Sequence, residues 1–178
     1  MILDKQNKKR LIIDMDGVLA DVYLQFIAME EKESGSKINI QDLKGKEEYK
    51  AFPNGRKHVN SKGFFRNAPL MPDAVESLRR LNEQYEVYIV SAAMEFPGSL
   101  IEKHEWLAEH FPFIGWQQIT FCGSKKIIKG EIMIDDHFKN LDNFEGQTIL
   151  FTQPHNEGPD DRGHTRVTGW MEINKLLL

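Results

Sequence analysis

Five short apolar segments, separated by helical patterns, constrain the fold of this chain more than any other feature. Near-continuous apolar runs are typical of strands that are covered on both faces, and their alternation with helices is typical of a parallel sheet. We therefore predict an α/β fold with a Rossmann-like, mainly parallel sheet and helices on both faces. The predicted strands are Arg10–Asp14, Glu86–Val90, Gln118–Phe121, Glu131–Asp135 and Gln147–Phe151.

Three segments have the spacing of amphipathic helices. The first is Asp73–Gln84, and the last is the tail, Trp170–Leu178, which we expect to close the fold. Between them, Pro97–His110 begins with a proline, which the first turn of a helix tolerates. The residues that follow it at helical spacing are Leu100, Ile101, His104 and Leu107.

The stretch between the first two predicted strands is far longer than a simple crossover requires. We predict that residues 20–69 form a small helical cap, inserted into a core domain made of residues 1–19 and 70–178. The alternative is a flexible surface loop, which would leave a row of apolar side chains exposed. The side chains that need burial there are Leu19, Val22, Tyr23, Phe26, Ile27, Phe52, Phe64 and Phe65.

The first predicted strand runs into Asp14-Met15-Asp16-Gly17. Side chains two residues apart in extended backbone point the same way, so the two carboxylates would face one site. Gly17 allows a sharp turn that exposes amide groups, and ligands bind at the carboxyl ends of strands in open α/β sheets. Taken alone, the segment is equally consistent with a surface turn, because Asp and Gly are common in turns.

A second apolar strand ends in Asp135 and Asp136. If this strand lies beside the first, Asp14, Asp16 and Asp135 converge at one edge of the sheet. A cluster of like charges is unfavourable unless a cation lies among them. Carboxylate oxygens beside an anionic substrate are the setting that Mg²⁺ prefers, so the sequence predicts a magnesium site.

Two weaker signals concern phosphate. Ser91 and Ala92 follow the second predicted strand, where a hydroxyl group and turn amides could hold a phosphate oxygen. Lys125 and Lys126 lie about ten residues before Asp135 and could neutralise phosphate charge. Each residue on its own is more often structural, as a serine at a strand end or as a solvated surface lysine.

Charge and cysteine content restrict the class of partner. The net charge of −4 and the pI of about 5.9 argue against binding a nucleic-acid polymer. Met1–Arg10 is polar and unlike a signal peptide, and no apolar run approaches the length of a membrane span. The single cysteine, Cys122, cannot form an internal disulfide, so we expect a cytoplasmic protein. The sequence is compatible with a homodimer and does not determine the oligomeric state.

In this order, the four signals resemble the four motifs of the haloacid dehalogenase superfamily, and within it the 5′(3′)-deoxyribonucleotidases. The resemblance covers nearly the whole chain. It implies a phosphoric monoester hydrolase that acts on small phosphomonoesters, namely (deoxy)nucleoside monophosphates, with Mg²⁺. The segments that carry it are Asp14–Asp21, Gly63–Asn67, Leu70–Ala74, Ile134–Asp136 and Ile149–Asn156.

The resemblance also implies a role for each site residue. Asp14 would be the nucleophile and a metal ligand, and Asp16 the general acid and base with its carbonyl on the metal. Asp135 would complete the metal shell, and Asp136 would join the metal site by holding a metal-bound water. The remaining candidates are Gly17, Ser91, Ala92 and Lys125 for phosphate, with Lys126 as the alternative lysine, and Val22, Phe65 and His137 for the rest of the substrate.

Two other functions compete with this prediction. One is a phosphatase for another small phosphomonoester, such as a sugar phosphate or a phosphorylated cofactor. The other is a protein of the same fold that holds phosphate without turnover. The presence of both Asp14 and Asp16 favours an enzyme.

Overall fold

A computed structural model describes residues 8–158 and 160–178 of the chain. The expectation of a non-signal N-terminus therefore lies largely outside the described residues, since it rests on residues 1–7. Among the helices that are described, none is long and apolar enough to cross a membrane.

Six parallel strands form one sheet, in the order β3-β2-β1-β4-β5-β6. The five predicted strands are confirmed with small shifts at their ends. The sixth strand was not predicted, because its three residues, Thr-Arg-Val, form no apolar run. The strands are β1 (Arg10–Ile13), β2 (Glu86–Ser91), β3 (Ile119–Phe121), β4 (Ile132–Asp135), β5 (Gln147–Phe151) and β6 (Thr165–Val167).

The strand order places a binding crevice beside β1. Connections from β1 lead first to β2 and β3 on one side, and the chain then crosses to β4 on the other side. In open parallel sheets, ligands bind outside the carboxyl ends of the strands where the order reverses in this way. The register pairs Ile13 with Ile134, so Asp14 and Asp135 follow side by side at this edge.

Residues 20–69 form helices with a hydrophobic cluster of their own. The segment contains α1 (Val22–Ser34), a 3₁₀ turn (Ile40–Leu43), α2 (Glu48–Ala51) and α3 (Gly55–Val59). The predicted apolar stripe contributes to this cluster except for Leu19, which packs into the main core because it precedes α1 in the turn after β1. The buried members of the cluster are Val22, Tyr23, Phe26, Leu43, Phe52, Phe64 and Phe65.

The two faces of the sheet are covered unequally. Three longer helices, α4 (Ala74–Gln84), α5 (Ser99–His110) and α7 (Trp170–Leu177), pack on the face that carries Ile13 and Ile134. The opposite face is covered by the one-turn helix α6 (Phe138–Leu141) and by loops. Alternate strand residues divide between the two faces, as the geometry of a strand requires.

The orientation of α5 differs from the sequence-based expectation. Ile101 is 69% exposed and His104 is also exposed, whereas Lys103 and Trp106 are buried. Trp106 occupies the core and its indole N–H donates to the carbonyl of Ala68 at 2.8 Å. The bulkiest apolar side chain therefore sets the rotation of the helix, and this rotation turns Lys103 toward the sheet edge.

Candidate active site

The loop after β1 is shaped by a close approach between two backbone segments. Asp14 still donates its N–H to the carbonyl of Ile134 at 2.9 Å, which ties the end of β1 to β4. The chain then turns at Gly17, whose φ is +75°. A Cβ atom at Gly17 would lie 2.2 Å from Oδ2 of Asp136, so only glycine fits here. Gln153 holds the turn from outside by donating to the Gly17 carbonyl at 2.5 Å.

Lys125 lies between the carboxylates that end β1 and β4. Its Nζ is 2.5 Å from Oδ1 of Asp14 and 2.5 Å from Oδ2 of Asp135. All three side chains are buried. Burial alone would lower the pKa of Lys125, but the charges of Asp135 and Asp14 raise it above its ordinary value. Lys125 therefore stays an ammonium ion that holds the two carboxylates together.

Asp135 is fixed by donors in the segment that follows it. The backbone N–H of His137 donates to its Oδ1 at 2.9 Å, and the amide of Asn140 donates to both carboxylate oxygens at 2.9 and 3.0 Å. Burial disfavours the charged form, but Lys125 and these donors keep the pKa of Asp135 below its ordinary value. Asp135 is therefore an oriented, ionised carboxylate.

Asp16 faces a different cation. Lys103 donates to Oδ2 of Asp16 and to the hydroxyl oxygen of Ser91, at 3.0 Å. The Ser91 hydroxyl lies 3.3 Å from the same carboxylate oxygen and donates to it. The Asp16 carboxylate is thus held by Ser91 at the end of β2 and by Lys103 on α5, and not by Lys125.

The cluster of Asp14, Asp135 and Asp136 fits a divalent cation. One oxygen from each lies within 4.8 Å of the others, and all three are buried. Burial and the negative charges of Asp14 and Asp135 raise the pKa of Asp136 well above its ordinary value. Burial also raises the pKa of Asp14, to about 7. One oxygen of Asp136 is buried without a hydrogen-bond partner in the described part of the chain. The single positive charge of Lys125 does not offset three carboxylates, so the cluster needs a further cation. Carboxylate oxygens are the ligands that Mg²⁺ prefers.

The structure brings most of the predicted site residues together. Those around the crevice are Asp14, Asp16, Gly17, Ser91, Lys125, Asp135 and Asp136, and Ala92 begins the turn after β2. Lys126, the alternative lysine, is exposed. Because Lys125 contacts Asp14, the geometry favours it for the phosphate role, which remains a prediction.

The three predicted substrate residues are placed less uniformly. Val22 and Phe65 are almost completely buried in the cluster of the helical segment. The ring of Phe65 also reaches the crevice, because its centroid is 4.3 Å from Nζ of Lys103. His137 follows Asp136 at the mouth and stacks on His155, with ring centroids 4.3 Å apart. Their contact with a substrate remains a prediction.

Several site residues carried no signal that sequence reasoning used. Lys103 was not among the sequence candidates, although its position three residues before Trp106 on the same helix could have indicated that the two side chains share a face. Asn140 lies one turn beyond Asp136. Gln153, His155 and Asn156 fall in a segment noted for its family resemblance, but no role was assigned to them. His155 and Asn156 both donate to the carbonyl of Asp136, at 2.9 and 2.7 Å.

A cavity of about 600 Å³ lies elsewhere, between the start of the helical segment and α7. Its lining includes Asp21, Lys44, Trp170 and Lys175 but none of the clustered aspartates. The candidate site is therefore identified by its chemistry and its position in the sheet, not by the size of a cavity.

Comparison with known proteins identifies the family of this chain. Residues 8–178 match the family described as 5′ nucleotidase, deoxy (pyrimidine), cytosolic type C protein. The chain is 39% identical over 181 residues to the 5′(3′)-deoxyribonucleotidase of Bacillus subtilis, covering 96% of this chain and 99% of the relative. A protein of the same description from Bacillus phage SPbeta has the same identity and coverage.

Solved structures share the fold at low sequence identity. A haloacid dehalogenase-like family hydrolase from Streptococcus pneumoniae superposes with a TM-score of 0.60 at 13% identity, covering 96% of this chain and 99% of that one. The HAD-hydrolase YfnB from Bacillus subtilis, described as bound to magnesium, has a TM-score of 0.61 at 14% identity, with 97% and 99% coverage.

Proposed function

Because the chain belongs to the 5′(3′)-deoxyribonucleotidase family of haloacid dehalogenase-like hydrolases, we propose that it dephosphorylates deoxyribonucleoside monophosphates with Mg²⁺, through an aspartyl phosphate on Asp14. The observation that carries the proposal is the division of the crevice. Asp14 contacts Lys125 and clusters with Asp135 and Asp136. Asp16 contacts Lys103 and Ser91 instead. This division supports our inference that Asp14 attacks phosphorus and that Asp16 moves a proton.

The first step forms the covalent intermediate. A carboxylate oxygen of Asp14 attacks phosphorus, and the bond from phosphorus to the ester oxygen breaks. Asp16, in its protonated form, gives its proton to the leaving alkoxide. Lys125 holds the Asp14 carboxylate in place and offsets the negative charge of the incoming phosphate. The products are the nucleoside and phosphorylated Asp14.

The second step regenerates the enzyme. Asp16, now ionised, takes a proton from a water molecule, which attacks the phosphorus of the acyl phosphate. The bond between phosphorus and the Asp14 oxygen breaks, so inorganic phosphate leaves and Asp16 is again protonated. Ser91 and the turn at Ala92 would hold phosphate oxygens through both steps.

Mg²⁺ would be held by the carboxylates of Asp14 and Asp135 and by the carbonyl of Asp16, with Asp136 in its outer shell. When bound, it would reduce the charge repulsion between the nucleophile and the phosphate. The orphaned oxygen of Asp136 and the excess of carboxylate charge support this assignment. The magnesium described for the YfnB neighbour also supports it.

The nucleoside would lie between the crevice and the helical cap of residues 20–69. Support comes from the names of the relatives and from Phe65, whose ring borders Lys103 at the crevice. Val22 and His137 would shape the same region. We also infer a cytoplasmic location, which the family description, cytosolic type, supports.

A phosphate-release screen tests this function. The panel contains deoxy- and ribonucleoside monophosphates with the phosphate at 5′ or 3′, sugar phosphates and an aryl phosphate, each with Mg²⁺ and with excess chelator. We expect deoxyribonucleotides to be hydrolysed fastest, with no turnover in chelator. Equal rates on sugar phosphates would reject the nucleotide assignment. Unchanged activity in chelator would reject the metal, and an inactive protein that binds phosphate would reject the enzyme.

A matched pair of variants tests whether Lys125 or Lys126 is the lysine that supports turnover. Lys125→Met removes the ammonium group between Asp14 and Asp135, and we expect turnover to fall by about 10²–10³-fold, the typical effect of losing one charge-stabilising donor. Lys126→Met makes the same change at the exposed neighbour and should leave turnover nearly unchanged.

A further inference from the structure

A second group of potential ligands lies at the mouth of the crevice, outside the aspartate cluster. A carboxylate oxygen of Glu48 and one ring nitrogen each from His137 and His155 lie within 4.8 Å of one another. Glu48 is the first residue of α2, in the helical segment, whereas the histidines follow β4 and β5. The three residues therefore join two parts of the molecule.

We propose that Glu48, His137 and His155 form a second cation site, specific for a borderline-soft divalent ion such as Zn²⁺ and distinct from the aspartate site. Two imidazoles with one carboxylate are a donor set that proteins use for zinc, with a fourth position left open. Imidazole suits zinc, whereas Mg²⁺ prefers oxygen alone. The donor chemistry thus separates the two sites.

The hydrogen bonds of His155 fix which of its ring nitrogens carries the lone pair. Its Nε2 lies 2.9 Å from the carbonyl of Asp136, which can only accept, so this nitrogen carries the proton. The lone pair is then on Nδ1, which accepts from the hydroxyl of Tyr23 at 3.1 Å. A metal-binding histidine commonly donates its other N–H to a backbone carbonyl, which fixes the ring. A cation on Nδ1 would take the place of the Tyr23 proton.

The other two ligands are not engaged by the protein. Within residues 8–158 and 160–178, neither the ring of His137 nor the carboxylate of Glu48 has a hydrogen bond or an ion pair. Glu48 is a half-buried carboxylate that lacks a partner among these residues, which is unfavourable unless a cation is supplied.

Binding would bring the three ligand atoms closer together. Ligand atoms around a tetrahedral zinc ion are about 3.4 Å apart for bonds of about 2.0–2.1 Å, which is less than the separation of up to 4.8 Å found here. Glu48 has a flexible side chain at the start of a one-turn helix, so it can close this gap. The cation would then link α2 to the segments after β4 and β5.

The test measures binding of Zn²⁺, and of Co²⁺ as its spectroscopic substitute, to the full chain in excess Mg²⁺. Excess Mg²⁺ occupies the oxygen-only aspartate site. Four-coordinate Co²⁺ with nitrogen ligands absorbs much more strongly than six-coordinate Co²⁺ with oxygen ligands, so the spectrum identifies the site. We expect one equivalent of Zn²⁺ and an intense Co²⁺ spectrum that Zn²⁺ abolishes.

Two variants and one control make the assignment specific. Glu48→Gln keeps the shape of the side chain, and His137→Phe keeps the stacking on His155 while removing the ring nitrogens. Each should weaken Zn²⁺ binding at least tenfold and remove the Co²⁺ spectrum. His104→Phe makes the same change at an exposed position of α5 and should have no effect. Melting curves check that each variant is folded.

Three outcomes would overturn the proposal. The first is no stoichiometric Zn²⁺ binding to the unmodified chain. The second is loss of that binding in excess Mg²⁺, which would place the ion at the aspartates. The third is wild-type affinity in both Glu48→Gln and His137→Phe. None of these outcomes depends on phosphatase activity, so they leave the proposed function to its own test.

Discussion

Asp14 and Asp16 are two residues apart, yet each is held by a different lysine. Lys125 joins Asp14 to Asp135, whereas Lys103 joins Asp16 to Ser91. The two carboxylates therefore have different surroundings, as two groups with different chemical roles require. At the scale of single residues, the proposed mechanism depends on this separation.

The Asp16→Asn variant tests whether Asp14 and Asp16 have different chemical roles. The variant keeps the nucleophile but loses the proton shuttle, which is typically worth about 10²–10⁴-fold in rate. An activated aryl phosphate needs little protonation of its leaving group, whereas the acyl phosphate still needs an activated water. We therefore expect the variant to accumulate phosphate on Asp14, detected by intact-mass spectrometry after rapid quenching and located by peptide mapping. Label on Asp16, Ser91 or any residue other than Asp14 would contradict the mechanism.

Lys103 is expected to position Asp16 and not to touch the phosphate ester itself. Lys103→Met removes the ammonium group and keeps much of the apolar stem, so we expect kcat to fall by about 10–100-fold, as for other supporting residues of a site, with a smaller change in KM. Lys103→Arg should recover part of the loss. A change confined to KM would instead indicate that Lys103 binds the substrate.

At the scale of elements, α5 links the helical segment to the catalytic edge of the sheet. Glu102 accepts from the backbone N–H groups of Gly63 and Arg66 at 2.6 and 3.2 Å. One residue later, Lys103 binds Asp16, and Trp106 donates to Ala68. The end of the helical segment and the Asp16 carboxylate are thus held by adjacent turns of one helix.

Removing the Glu102 carboxylate should loosen the end of the helical segment. In Glu102→Ala, two backbone donors lose a charged acceptor, and hydrogen bonds of this kind contribute about 1.5–3 kcal/mol each. We expect faster amide hydrogen exchange at residues 63–67, with the sheet unaffected. Glu105→Ala, which removes a longer surface ion pair to Arg66 of 3.6 Å, is the matched control and should change exchange little. Equal exchange in the two variants would show that Glu102 is not the anchor.

At the scale of the whole molecule, the folded chain collects buried carboxylates at one edge and thereby makes its stability dependent on pH. Glu48 contributes to this from the helical segment. Burial, reinforced by Asp16 and opposed by Lys139, raises its pKa from 4.5 to about 7. Between these values the folded chain binds a proton that the unfolded chain has lost, so stability falls as the pH rises through this window.

Glu48→Gln should remove this part of the pH dependence. In chelator, we expect the variant to match the parent chain near pH 4.5 and to be more stable at pH 8 by roughly 1–3 kcal/mol, from 1.36 kcal/mol per pKa unit with allowance for partial exposure. Urea unfolding at the two pH values measures the difference. Glu47→Gln is the control, because Glu47 is exposed and paired with Lys50. A variant that loses stability at pH 8 would contradict the assignment.

The sequence by itself determined the five principal strands and the position of Asp14, Asp16, Asp135 and Asp136 at strand ends. These features follow from local patterns, because an apolar run, a helical period and a turn residue act over a few neighbouring positions. The pairing of β1 with β4 was only a condition of the sequence-based prediction, and the observed strand order meets it and brings the aspartates together.

The tertiary structure alone decided the contacts between distant elements. The rotation of α5, fixed by the burial of Trp106, placed Lys103 beside Asp16, 87 residues away, although Ile101 and His104 had suggested another face. Tertiary packing also buries Lys125, and not its exposed neighbour Lys126, in contact with Asp14, 111 residues away. Such contacts depend on how whole faces pack, since many lysines have the same local pattern but only packing removes one of them from water.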